Sequence, residues 1–305
     1  MSHAQNFQNL NFEQSCDTSK TGLCYWDLSW GNKINVTQDI LYKEKCLLIK
    51  GITTKDVGFT EQSSEISALK EIAIITLSAS VNSDSIEGKG AGLNLNIYDD
   101  EGQLLTFKDM GGFYSIDWIT GTRSWKEYSI SLVCPIGTAK IKIGAILYGK
   151  GKAWFDNLNV VITPVKDRKA SKLAAKYILD ACNTIEKYSL VRDSFDIDTN
   201  SLIAMKIAGN AKKYSDCYIA IEYLLQSLRK YGDHHSFFMK AHEVDTWKNA
   251  GTTNNKIEYP TCTIIDSCGY IKVPAFHGGN EKVMLAYADS LQSAIRKLDS
   301  SGIKG

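Results

Sequence analysis

Two adjacent histidines, His234 and His235, are the residues in this sequence whose type and setting best suit acid–base chemistry. They stand in the stretch Tyr-Gly-Asp-His-His-Ser-Phe-Phe, residues 231–238, and the chain has only five histidines. Imidazole changes its protonation near neutral pH, and a carboxylate and a hydroxyl are its neighbours here. The structural alternative is a polar turn in which Gly232 ends a helix and Asp233 caps the residues that follow.

Two later stretches extend this pattern: Cys-Gly-Tyr-Ile-Lys-Val-Pro-Ala-Phe at residues 268–276, and Ser-Gly-Ile-Lys-Gly at residues 301–305. With the Gly-Asp-x-His-Ser-x-Phe turn they resemble the tail-specific (C-terminal processing) and tricorn-like serine peptidase family, over roughly residues 168–305. The resemblance implies hydrolysis of a peptide or protein substrate by acyl transfer, with His235 as general base and no cofactor for catalysis. His234 then stands where tricorn-like members carry an assisting hydroxyl. The serine nucleophile would lie beyond Gly305, so we expect the chain as printed to be inactive.

The composition limits the function classes. Lys and Arg number 35 against 34 Asp and Glu, so no basic surface for nucleic acid is indicated. The 305 residues are 44% hydrophobic, which predicts several folded domains, and no apolar run is long enough to span a membrane. No signal peptide is visible; the protein is secreted or periplasmic if one was removed, and cytoplasmic otherwise. The eight cysteines show no regular spacing, which predicts mostly buried free thiols.

Residues 6–163 show the period-two alternation of strands with one buried face. Leu93, Leu95 and Ile97 alternate with polar residues, and the stretches 128–133 and 141–144 behave in the same way. Turn residues separate these stretches. The pattern predicts a β-sandwich.

Three stretches of this region carry a second resemblance: Asn9-Leu-Asn-Phe-Glu13, Gly121-Thr-Arg-Ser-Trp125, and a closing segment at residues 148–157 with Trp-Phe-Asp-Asn at its end. They are similar to jelly-roll carbohydrate-binding modules with a galactose-binding-like fold. That resemblance implies a structural calcium held between Glu13 and Asp156. The alternative is that Asp156 ends a strand and Glu13 is solvated, and the sequence leaves both open.

Aromatic residues in loop-like stretches raise the question of sugar binding, because an exposed ring can stack on a pyranose. Trp118 is expected to be the most exposed of them, and Tyr114 lies close to it in sequence. The competing role for the module is that of a spacer. As alternatives to the peptidase hypothesis, the protein is a carbohydrate-binding module with a scaffold, or a non-catalytic relic.

After Pro164 the hydrophobic period changes to that of helices. Residues 166–231 are predicted to form a three-helix bundle that presents His235 at a helix end. Residues 232–305 are predicted to begin an α/β peptidase domain, with paired strands near 261–265 and 269–273 and a helix over 281–298. The expected fold is therefore multidomain α+β.

Overall fold

The computed structural model describes residues 7–17, 22–28, 35–41, 44–111, 117–241, 243–244, 257–266, 268–276 and 281–300. The chain divides into two compact units, Met1–Phe238 and Met239–Gly305. Each unit is described separately below.

The first unit begins with an antiparallel β-sandwich of jelly-roll type. Its strands are β1 (Asp27–Leu28), β2 (Asn35–Leu41), β3 (Glu44–Gly51), β4 (Val57–Glu65), β5 (Ala73–Tyr98), β6 (Leu104–Asp109), β7 (Ile119–Cys134) and β8 (Lys140–Pro164). The strands β5 and β8 are long enough to take part in both layers of the sandwich. The predicted sandwich is confirmed.

The strand pairs define the two layers. In one layer the strands lie side by side in the order β7, the first half of β5, the second half of β8, β3 and β2. In the other layer the order is β6, the second half of β5, the first half of β8, β4 and β1. Every pair is antiparallel, so each layer can bury one face and expose the other.

Both long strands change layer at a corner built from glycine. Gly88 of β5 pairs with Gly149 of β8, and their φ angles are +107° and +136°. A Cβ at Gly149 would lie 2.0 Å from the carbonyl oxygen of Glu87. Only a residue without a side chain allows the two backbones to bend together this closely, which is why the corner falls here.

One hydrophobic core fills the space between the layers. Leu93, Leu95 and Ile97 are fully buried in it, as the alternation predicted. The other half of β5 contributes Ile75, Leu77, Ala79 and Val81 to the same cluster. A disulfide between Cys16 and Cys24 ties a loop ahead of β1. The other six cysteines are free and four of them are buried, so half of the eight cysteines, rather than most of them, are buried free thiols.

Three helices complete the first unit: α1 (Lys172–Tyr188), α2 (Ile197–Ala208) and α3 (Tyr218–Leu228). Ser171 caps α1 by accepting a hydrogen bond from the Ala174 N–H, and Asp196 caps α2 through the Thr199 N–H. The predicted bundle is confirmed. The helices pack on the sandwich, because Val133 of β7 belongs to their apolar cluster and the Arg229 guanidinium lies 5.2 Å from the centre of the Phe107 ring.

The described part of the second unit is an antiparallel hairpin with one helix. The strands are β9 (Thr261–Ile265) and β10 (Cys268–Lys272), and the helix is α4 (Glu281–Ser300). Tyr287 holds the helix in place, since its hydroxyl donates to the Pro274 carbonyl and its ring stacks on Phe276. The predicted strands and helix are present, but the described residues contain no parallel strand pair, so the start of an α/β peptidase domain is not shown.

No helix within the described ranges is both long and apolar enough to cross a membrane.

Candidate functional site

A buried tryptophan, Trp118, forms one wall of a cleft on the sandwich. The side chain lies in a slot made by three glycines: a Cβ at Gly92 or Gly111 would approach the indole ring to 3.1 or 1.9 Å, and a Cβ at Gly90 would approach the Trp118 Cβ to 2.7 Å. Gly90 and Gly92 lie on β5, and Gly111 is the second residue after the end of β6. The slot exists because these positions carry no side chain, so that the indole occupies the space instead.

Further aromatic and aliphatic contacts fix the indole. Tyr148 of β8 meets it edge to face, with ring centroids 5.3 Å apart, and Phe59 and Ile146 complete the cluster. The ammonium of Lys89 lies 5.0 Å from the centre of the Trp118 ring and 4.8 Å from that of Tyr148. Burial raises the pKa of Tyr148, and the charge of Asp109 adds to this effect, so its hydroxyl stays protonated at neutral pH.

Trp118 is 6% exposed, which corrects the expectation that it would be the most exposed aromatic residue. The physical reason is the glycine slot, which accepts the whole ring. Tyr114, the other predicted sugar-binding residue, lies outside the described residues. Trp118 can therefore act as a rigid wall, whereas a stacking platform would need a free face.

The cleft beside Trp118 has a volume of about 400 Å³. Its lining is mostly polar and comes from the start of β7 and the residues just before it: Asp117, Trp118, Ile119, Thr120, Arg123, Ser124, Lys126 and Tyr128. Hydroxyl, carboxylate, guanidinium and ammonium groups thus face one space. Volumes of this size are typical of small-molecule sites.

An irregularity in β7 places several of these side chains around the cleft. Val81 pairs with Lys126 and Ser83 pairs with Arg123, so a shift of two residues along β5 corresponds to a shift of three residues along β7. β7 therefore carries one extra residue, a β-bulge, between these two pairs. Such a bulge bends the strand and redirects side chains. It explains how Arg123, Ser124 and Lys126 can all line the same cleft although a regular strand would alternate them.

Hydrogen bonds hold the bulged segment to the corner of β5. The Ser83 hydroxyl donates to the Gly121 carbonyl at 3.0 Å, and the Ser85 N–H donates to the Thr122 hydroxyl at 3.0 Å. The lining is therefore fixed to the sandwich before any ligand arrives.

Sequence reasoning missed Arg123, Ser124 and Lys126 as site residues. The stretch 121–125 was noticed only as a signature of the module. Gly90, Gly92 and Gly111 leave room for a large ring, but they become neighbours of Trp118 only in the folded chain, so their spacing alone does not mark the site.

The predicted calcium ligands lie in different environments. The Asp156 side chain is buried and accepts hydrogen bonds from the Asn157 N–H at 2.6 Å and from its Nδ2 at 3.2 Å. Glu13 is exposed, and its carbonyl oxygen accepts from the Lys45 ammonium at 3.0 Å. These contacts do not test calcium binding at Glu13 and Asp156, which stays a prediction. Within the described ranges no group of three or more His, Cys, Asp or Glu could hold a metal ion.

The turn that carries His234 and His235 follows the last helix of the first unit. Gly232 takes a left-handed conformation with φ +98°, as predicted for a helix end, and both histidines are exposed. Phe238 packs against the bundle with its ring 4.9 Å from that of Tyr218, whereas Phe237 is exposed. The structure does not test His235 or His234 as catalytic residues, and both roles stay predictions.

Asp233 organises this turn. Its carboxylate accepts hydrogen bonds from the His235 N–H, the Ser236 N–H, the Ser236 hydroxyl and the Ser189 hydroxyl, at 2.7 to 3.2 Å. Burial by itself would raise the pKa of Asp233, but these hydrogen bonds outweigh it and hold the pKa below its ordinary value. The carboxylate of Asp233 accepts hydrogen bonds from backbone N–H and hydroxyl groups, and therefore caps the turn.

Comparison with known protein families and with curated protein sequences gives no match. Solved structures that resemble part of the chain include several carbohydrate-binding modules. One is the CBM22-1 xylan-binding domain from Paenibacillus barcinonensis Xyn10C, with 13% identity and a TM-score of 0.33 over 54% of this chain and 95% of that one. Another is TmCBM61 in complex with beta-1,4-galactotriose, with 17% identity and a TM-score of 0.32 over 51% of this chain and 97% of that one.

The enzymatically active domain of bacteriophage CBA120 tailspike protein 4 is also similar, with 13% identity and a TM-score of 0.36. The match covers 50% of this chain and only 21% of the tailspike chain. The likeness in all three cases is confined to about half of this chain. It does not bear on the peptidase resemblance, which stays a prediction.

Proposed function

We propose that the β-sandwich of this protein binds glycans in the cleft beside Trp118. The observation that carries the proposal is the cleft itself, where a rigid aromatic wall meets hydroxyl, carboxylate and cationic groups. The similar structures that are carbohydrate-binding modules by name agree with this function, but the proposal rests on the residues of this chain.

The chemistry of the lining suits a sugar ring. A pyranose has apolar C–H faces and an edge of hydroxyl groups, each of which both donates and accepts hydrogen bonds. The half-buried ring of Tyr128 offers apolar surface with little entropy to lose. Asp117 accepts hydrogen bonds, Arg123 donates them in a planar fork, and the Ser124 hydroxyl does both.

The rigidity of the site also favours binding. The cleft lies on a strand whose bulge is held by Ser83 and Ser85, and its wall is locked in a glycine slot. A site that is already formed loses less entropy when the ligand binds. Weak hydrogen bonds to a well-hydrated sugar can then give a net affinity.

The test is titration calorimetry of the full chain against a panel of neutral and acidic oligosaccharides and polysaccharides. The variant Ser124→Trp fills the cleft from an exposed position and should abolish binding. Ser129→Trp is the matched control, because Ser129 is exposed on the same strand but does not line the cleft. Failure of the wild type to bind any member of the panel, or unchanged binding by Ser124→Trp, would reject the proposal.

A second proposal, serine-peptidase activity, comes from the motif resemblance. The observation that favours it is the exposure of His234 and His235 directly after a helix end. Under this proposal His235 removes the proton from a serine hydroxyl and later returns it to the leaving amine. A longer product of the same gene should react with a serine-directed fluorophosphonate, and labelling that is unchanged in His235→Ala would reject it.

A further inference from the structure

The charges of the cleft indicate which kind of glycan it prefers. Arg123 and Lys126 bring two positive charges to the lining, and Asp117 brings one negative charge. Both cationic side chains are exposed. The lining therefore carries a net positive charge, although the chain as a whole is close to neutral.

Neither cation pairs with a carboxylate of the described residues. Across the described ranges, the salt bridges join other residues, and neither Arg123 nor Lys126 takes part in one. The contact found for Lys126 is with an aromatic ring, since its ammonium lies 5.5 Å from the centre of Tyr128. That contact leaves the positive charge available to an anion. Exposed lysines elsewhere, such as Lys150 and Lys176, have carboxylate partners instead.

We infer that the cleft selects glycans that carry an acidic group, a carboxylate or a sulfate on a pyranose ring. This inference rests on the proposed function. Arg123 receives the acidic group through two parallel N–H donors, and Lys126 adds a second positive charge beside it. The hydroxyls of Thr120 and Ser124 remain for the neutral hydroxyl groups of the ring.

A neutral sugar would use the same cleft less well. Its hydroxyls can accept from Arg123, but such a bond lacks the opposite charge that makes a guanidinium–carboxylate pair strong. Because the cleft is open to water, the gain is also screened by salt, with a Debye length of about 10 Å at 0.1 M. A preference for acidic glycans that weakens with ionic strength is therefore the signature expected.

The experiment compares acidic with matched neutral oligosaccharides on the full chain: oligogalacturonate with oligogalactan, and a sulfated with an unsulfated galactan. We expect the acidic ligand to bind at least about tenfold more tightly, which corresponds to about 1.4 kcal/mol. The two pairs distinguish a carboxylate from a sulfate as the preferred group. Arg123→Gln should bring the ratio of acidic to neutral affinity close to one, whatever its effect on the neutral affinity itself, and Lys126→Gln should lower the same ratio.

Controls separate this inference from the proposed function. Lys152→Gln is the matched control for Lys126→Gln, because Lys152 also lies over an aromatic ring, 5.7 Å from the centre of Trp154, and does not line the cleft. Equal affinity for acidic and neutral ligands would overturn the inference and leave glycan binding intact. Inorganic sulfate that binds as tightly as the sulfated glycan would also overturn it, because the ring would then contribute nothing. Absence of binding to every glycan would reject both.

Discussion

The glycine slot predicts that one added methyl group will expel Trp118. In Gly111→Ala the new Cβ would lie 1.9 Å from two atoms of the indole, Cδ1 and Nε1, so the ring has to leave its position. A buried tryptophan covers about 200 Å², which at about 25 cal/mol per Å² gives about 5 kcal/mol as an upper bound for the loss. We expect about 3 kcal/mol, because the displaced ring finds partial cover on neighbouring side chains.

The assay is denaturant unfolding together with the fluorescence emission of the native state. Gly111→Ala should unfold at lower denaturant and emit at longer wavelength, measured as a difference spectrum because the chain has six tryptophans. Gly102→Ala is the control, since a Cβ there meets nothing within 4 Å and only its φ of +80° carries a cost, of about 1–2 kcal/mol. Glycan binding should fall in Gly111→Ala and persist in Gly102→Ala.

A double-mutant cycle decides whether the clash is with the indole. In a Trp118→Ala background the space is empty, so Gly111→Ala should add little further destabilisation. If Gly111→Ala costs as much in that background as in the wild type, the slot is not what holds Trp118 and the reasoning is wrong.

Three further predictions concern other parts of the first unit. Asp233→Asn should destabilise the protein by about 1–3 kcal/mol at neutral pH, because hydrogen bonds to a buried carboxylate are weakened. Since the folded-state pKa of Asp233 is lowered, the stability that this group contributes to the wild type is present above about pH 4 and is lost as the pH falls further. Urea titrations at several pH values should show that the variant lacks this acid dependence. Burial raises the pKa of the Cys134 thiol to about 12. Iodoacetamide at pH 8, followed by mass spectrometry, should therefore find the exposed Cys268 alkylated in the native protein and Cys134 alkylated only after unfolding. Rapid labelling of Cys134 in the native protein would contradict its burial. Lys142 and Glu61 pair across β8 and β4 at 2.7 Å, and a cycle of Lys142→Met with Glu61→Gln should give a coupling of about 0.5–1 kcal/mol; a coupling of zero would mean that the pair is solvated in solution.

The sequence sufficed for features that depend on local pattern. Alternation at Leu93, Leu95 and Ile97 located the core strand, and the helical period located α1 to α3, because both patterns reflect one buried face. Gly232 was recognised as a helix end for a similar reason, since a left-handed residue there is a local requirement.

Features that depend on contacts distant in sequence could not be predicted. The burial of Trp118 depends on Gly90 and Gly92 of β5, which become its neighbours only when the strands pair. The bulge in β7 depends on its register against β5, and no residue type marks it.

The most direct test of glycan binding at the Trp118 cleft is a crystal structure of the full chain with the tightest oligosaccharide from the panel. We predict a sugar ring in the cleft, within hydrogen-bond distance of Arg123 and Ser124. A ring bound elsewhere on the sandwich, with the cleft filled only by water, would contradict the account.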